Sequence, residues 1–114
     1  MKDCLFCKIA SGEIPTEKIY EDEQICAFFD IAPQAKTHFL VIPKKHIANL
    51  MELKETDAPL MGQLLYQAEE LAKKLGLEEN GARFVFNCKE DGGQTVSHIH
   101  LHVLGGRKLS WPPG

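Results

Sequence analysis

This chain lacks a positive field. Its 13 Lys and Arg stand against 16 Asp and Glu, for a net charge of −3. A protein that coats DNA or RNA needs the opposite balance, which argues against a nucleic-acid partner. It also has no apolar run near the ~20 residues that cross a bilayer, so no membrane partner is expected. The first residues, Met1-Lys2-Asp3-Cys4, carry no apolar signal region, and a cytoplasmic protein is the expectation. Thiols stay reduced in that compartment. The four cysteines are therefore expected to hold metal or to be buried, not to pair. No repeat, low-complexity tract or linker breaks the sequence, and 114 residues suit a single domain, 1–114.

What is present reads as a small α+β protein. Residues 4–10 suggest a short helix ending at Ser11-Gly12. Strands are predicted at 19–21, 25–30, 38–42, 83–88 and 99–104, with a short helix at 46–51. The clearest signal is a long helix. Leu60, Met61, Leu64, Leu65, Ala68, Leu71, Ala72 and Leu75 recur at three- and four-residue spacing and read as one core face. Thr56 or Asp57 would cap its start, with Pro59 in the first turn and Gly76 beyond its end. Cys26 and Cys88 fall in apolar strands and read as buried small hydrophobes. The expected fold is a five-stranded antiparallel sheet with one long helix on one face and short helices beside it.

The chemistry is concentrated at His98-Ile99-His100-Leu101-His102. In a strand, alternate side chains share a face, roughly 6.6 Å apart. Three imidazoles would line one surface, and their mutual repulsion would lower their pKa values. Such a row suits three chemistries: metal binding, nucleophilic attack by one ring, or a merely polar sheet face. The preceding Asp91-Gly92-Gly93-Gln94-Thr95 favours work on phosphorus. Glycine there permits backbone N–H groups to converge on an anion, and Thr95 and Gln94 add a hydroxyl and an amide. Cys4-Leu5-Phe6-Cys7 is a C-x-x-C pair, which by itself fits a redox motif, half a zinc site or coincidence.

Taken in order, the run 31–47, the loop 92–95, the stretch 98–107 and the ending Trp111-Pro112-Pro113-Gly114 resemble the histidine triad (HIT) family, in its Hint-like phosphoramidase branch. The resemblance covers nearly the whole chain, and it implies a HIT-like dimeric fold and a purine nucleotide substrate. His100 resembles the nucleophile, attacking the α-phosphorus of an adenosine phosphoramidate to give a nucleotidyl-histidine that water cleaves to AMP. A backbone carbonyl is the expected partner of its other ring nitrogen. His102 resembles the donor to the phosphate oxygens, His38 a supporting histidine that orients the nucleophile, and Thr95 a serine that serves the leaving group. Asn87, Gly93 and Gln94 would lie near the phosphate, and Asp30 would hold the ribose hydroxyls. Leu5, Phe6, Ile9, Phe28 and Ile31 would wall the base.

The resemblance also implies a structural zinc on Cys4, Cys7, His46 and His98, with no cofactor in the reaction itself. It implies a homodimer in which the C-terminal segment reaches the partner's site. Three other readings remain at this stage. They are a dinucleoside polyphosphate hydrolase of the same family, a nucleotide-binding regulatory protein with incidental turnover, and a metallohydrolase using all three triad histidines.

Overall fold

A computed structural model describes residues 3–114. In chain order the elements are α1 (Leu5–Ser11), β1 (Tyr20–Glu21), β2 (Ile25–Phe29), β3 (Thr37–Pro43), α2 (Ala58–Lys74), β4 (Ala82–Phe86), α3 (Lys89–Gly92) and β5 (Leu101–Gly105). The strands form one antiparallel sheet in the order β1-β2-β3-β5-β4. The expected α+β architecture, a five-stranded antiparallel sheet with one long helix, is therefore present. No helix among the described residues is long and apolar enough to cross a membrane.

Strand alternation sorts the side chains. From β2 and β3, Ile25, Ala27, Phe39 and Val41 join Leu101 and Val103 of β5 against Leu64, Ala68, Leu71 and Ala72 of α2. Their neighbours Cys26, Phe28, Leu40 and Ile42 point the other way, onto Cys4, Phe6, Ile9 and Ala10 around α1. Both faces of the sheet are thus covered.

The long helix carries Pro59 in its first turn, and Gly76 beyond its end adopts φ +84°, a left-handed conformation open to glycine at little cost. The helical stripe is wider than the face it buries. Leu65, about 100° around from Leu64, is 50% exposed, and Leu75 is also exposed. Three other expectations need correction. Residues 46–49 are irregular, and only a 3₁₀ turn, Leu50–Glu52, follows them. β4 stops at Phe86, so Cys88 lies outside it, half-buried just before α3. β5 begins at Leu101 rather than at 99, because the backbone before it bonds elsewhere. The His98 N–H donates to the Val96 carbonyl and the Ile99 N–H to the Ile47 carbonyl.

Candidate active site and metal centre

The three histidines do not act as one solvent-facing row. His98 is fully buried and His100 is 5% exposed, both on the α1 side of the sheet. Hydrogen bonds give each ring a different job. The His100 Nδ1–H donates to the His98 carbonyl at 2.8 Å, which leaves Nε2 with a free lone pair. The His98 Nε2–H donates to the Pro43 carbonyl at 2.8 Å, which leaves its Nδ1 facing Cys4 Sγ at 3.2 Å and Cys7 Sγ at 3.5 Å.

The third ring is set by a relay. The Gln34 backbone N–H donates to His38 Nδ1 at 3.1 Å, so His38 Nε2 carries the proton and donates to His102 Nδ1 at 2.9 Å. His102 Nε2–H is then a donor from a neutral ring. His38 therefore supports His102, not the expected nucleophile directly. Neither Gln34 nor Pro43 drew notice in the sequence, because both act through backbone groups that any residue supplies.

All three rings that face the cavity side are held neutral. Burial is the main cause for both His38 and His100; the Asp30 charge pulls the other way at His38, and at His100 the hydrogen bond to the His98 carbonyl does so first and Asp30 after it. His102 is lowered to about 4, by burial first and by His100 and His38 after it. Mutual repulsion, the cause expected from the sequence, is the smaller contribution for His102 and does not act on His100. Desolvation dominates because α1 closes over this face.

Beside these rings lies a cavity of about 250 Å³. Leu5, Phe6, Ile9, Phe28 and Ile31 all line it, with His100, His102 and Thr95 at its polar end and Asp30 at its edge. Phe29, Leu40 and Val96 complete the wall. Leu40 could have been anticipated, since it pairs directly with Phe28 across β2 and β3. Asp30 Oδ1 accepts the Ala32 N–H at 2.8 Å, while Oδ2 lies 3.4 Å from His38 Nε2. Thr95 also lines a second cleft, with Asp3, His46 and Ser97.

The glycine loop departs from expectation. It holds a short helix, α3, closed by Gly93 at φ +80°. The Gly93 and Gln94 N–H groups donate to the Glu90 and Lys89 carbonyls, so they do not converge on an anion. The Gln94 side chain is equally committed. Its amide donates to the Ala48 and Val96 carbonyls and its oxygen accepts the Lys89 N–H. Gln94 ties the loop to the segment carrying His46. Asn87 lies beside Gly92 and does not line the cavity.

The decisive comparison is with the HIT domain family model, which matches residues 11–109. The chain belongs to the HIT family. This HIT chain is 50% identical to an uncharacterised HIT-like protein of Synechococcus elongatus, over 99% of the chain and 98% of that relative. It is similar in structure to a HIT family hydrolase of Legionella pneumophila, with 55% identity and a TM-score of 0.96. That likeness covers 98% of this chain and 100% of the other. A histidine triad nucleotide-binding protein of Candida albicans is 34% identical, with a TM-score of 0.82, over 96% of this chain and 83% of the other.

The HIT chain also brings Cys4, Cys7, His46 and His98 together. Their ligand atoms all lie within 4.8 Å of one another, and Cys7 Sγ is 3.3 Å from His46 Nδ1. Sulfur and nitrogen donors sharing a tetrahedral Zn²⁺ stand about 3.5 Å apart, so the donor set and its spacing fit that ion. The Pro43 carbonyl gives His98 the backbone partner that metal-binding imidazoles use to fix their tautomer. Burial, followed by neighbouring Cys4, pushes the Cys7 thiol up, so a metal binding there would have to displace its proton.

Proposed function

We propose that this HIT protein is a hydrolase of adenosine (purine) 5'-phosphoramidates or adenylated amines, releasing AMP through a covalent nucleotidyl-His100 intermediate. The observation that carries the reading is the bare Nε2 of His100 at the polar end of an apolar cavity. The printed names of the Legionella and Candida proteins, a hydrolase and a nucleotide-binding protein, support it.

The steps follow from the side chains. The base lies among Leu5, Phe6, Ile9, Phe28 and Ile31, with the ribose hydroxyls on Asp30. The Nε2 lone pair of His100 attacks the α-phosphorus and the P–N bond breaks. The departing amine takes a proton relayed from solvent by the Thr95 hydroxyl. The His100 ring is now cationic, and its Nδ1–H stays on the His98 carbonyl. Negative charge building on the phosphate oxygens is met by the His102 Nε2–H. Water then attacks phosphorus, a proton leaves to solvent, and the P–Nε2 bond breaks to give AMP and a neutral ring. Cys4, Cys7, His46 and His98 would hold a Zn²⁺, which would cross-link α1 to the irregular 46–49 segment and to the residues before β5.

We further infer a cytoplasmic homodimer. Leu65 and Phe84, on α2 and edge strand β4, are large apolar side chains left exposed, and a partner copy would cover them.

The test is rapid quenching during turnover of an AMP-amine, read by mass spectrometry. An AMP adduct on His100 is expected, and His100→Ala should lower the rate by at least about 10³-fold while AMP still binds. An adduct on another residue, or an His100→Ala enzyme keeping a tenth of the rate, overturns the assignment.

A further inference from the structure

We propose that the metal centre positions the nucleophile, through Phe6 and the His98 carbonyl, in addition to bracing the fold. The proposal rests on reading His100 as the nucleophile.

Two contacts join the centres. The first is His98 itself. Its ring presents Nδ1 to the two cysteines, and its carbonyl accepts the His100 Nδ1–H at 2.8 Å. One residue is thus a metal donor through its side chain and the tautomer setter of His100 through its backbone.

The second contact is Phe6. It sits between ligands Cys4 and Cys7 in sequence and is 5% exposed. Its ring stands edge-on to both His100 and His98, with centroids 5.0 Å and 6.0 Å away and an interplanar angle of 81° in each case. It also packs against Phe28 in the wall of the cavity. Phe6 is therefore a positioning residue for His100 and a wall of the proposed base site at once.

Phe6 packs into the core on this face of the sheet, and the metal matters because it would add a fixed point to the short helix that carries it. α1 has seven residues, and isolated helices below ~12–15 residues are marginal in water. Its start is organised by Cys4, whose Sγ accepts the Cys7 N–H at 3.3 Å. A cation shared by Cys4, Cys7, His46 and His98 would cross-link this short helix to the irregular 46–49 segment and to the residues before β5. The ring that flanks the nucleophile would then be held both by its core neighbours and by the ion's grip on its helix.

Coupling of this kind is reciprocal, so a change at His100 must be felt at the metal. The protein loaded with Co²⁺ reports this through its visible ligand-field absorption, with no turnover required. His100→Ala and Phe6→Leu are each expected to shift the Co²⁺ bands. Asp30→Asn, across the cavity and touching no ligand, should leave them in place. Co²⁺ spectra of native and His100→Ala protein that superimpose overturn the proposal.

A second arm compares AMP binding by calorimetry in Zn²⁺-loaded and chelated protein. Affinity at least about fivefold weaker is expected after metal removal. Equal affinity in a chelated protein that circular dichroism shows to be folded also overturns the proposal. If chelation unfolds the chain, the Co²⁺ spectra decide alone. Failure of AMP to bind the loaded protein sinks the nucleotide reading instead, and the Co²⁺ spectra still decide the coupling.

Discussion

The two faces of the sheet are built by the same alternation and do opposite things. On the α2 face Leu64, Ala68, Phe39, Val41 and Val103 make a purely aliphatic and aromatic core. There any side chain of the right volume contributes in much the same way. On the α1 face the buried groups include His38, His98 and His100. No buried side-chain nitrogen or oxygen among the described residues lacks a partner. Hydrogen bonds fix which nitrogen of His38, His98 and His100 carries the proton, so that face tolerates change in role far less than change in size. The first face supplies stability in bulk. The second spends part of that stability on keeping histidines dry and neutral.

The largest way to sharpen the contrast is to damage only the first face. Leu64 is fully buried, and Leu64→Ala should cost about 2–5 kcal/mol in denaturant unfolding. The kcat of the protein that remains folded should stay within about twofold. A kcat collapse at retained fold would show the faces to be coupled.

Acid reaches the second face through its buried imidazoles. The folded pKa of His102 is about 4, below its ordinary 6.5. Above 6.5 neither state binds the proton. Between 6.5 and 4 the unfolded chain takes a proton that the folded one refuses, so stability falls as pH falls. Below 4 the loss is complete, on the order of 3 kcal/mol from this one group. Unfolding free energies measured from pH 7 to 4 should show the slope, and His102→Gln should flatten it. An unchanged slope in that variant removes His102 as its source.

A smaller effect is expected one step back along the relay. His38→Phe keeps the ring volume but removes both nitrogens, so His102 loses the partner that sets its tautomer. Turnover should fall roughly 10- to 100-fold, in kcat rather than in AMP affinity. A purely structural role would instead lower the melting temperature and leave kcat alone. The smallest effect belongs to Arg107, exposed, with its guanidinium on the Gln34 carbonyl at 2.9 Å. Arg107→Ala should change kcat by less than about twofold, since solvent replaces an exposed bond. A larger drop would mean that the Gln34 loop needs an anchor to hold His38.

Much of this contrast was legible in the sequence. The short apolar runs at 25–29 and 39–42 and the period of 3.6 through α2 are local signals, and they located two strands of the sheet and the helix that covers them. The HIT resemblance placed the cysteines and histidines in one centre and the apolar residues around one cavity. What escaped was set by contacts across the chain. The early end of β4 left Cys88 out of the sheet, and the α3 turn used up the Gly93 and Gln94 N–H groups. His38 turned to His102 because β3 pairs with β5 in the register Leu40 with His102.

The sequence by itself determined which residue types stand at which spacing, and thus the alternation, the long helix and the inventory of ligands and imidazoles. Only the tertiary structure decided what each histidine is. Imidazole has two nitrogens and one mobile proton, and its state depends on which distant carbonyl, amide or thiol lies against each. For His98 those neighbours are Pro43, Cys4 and Cys7, brought by the folding of α1 and β3 onto the residues before β5, and for His102 the neighbour is His38 across the sheet. No spacing along a single strand encodes that choice.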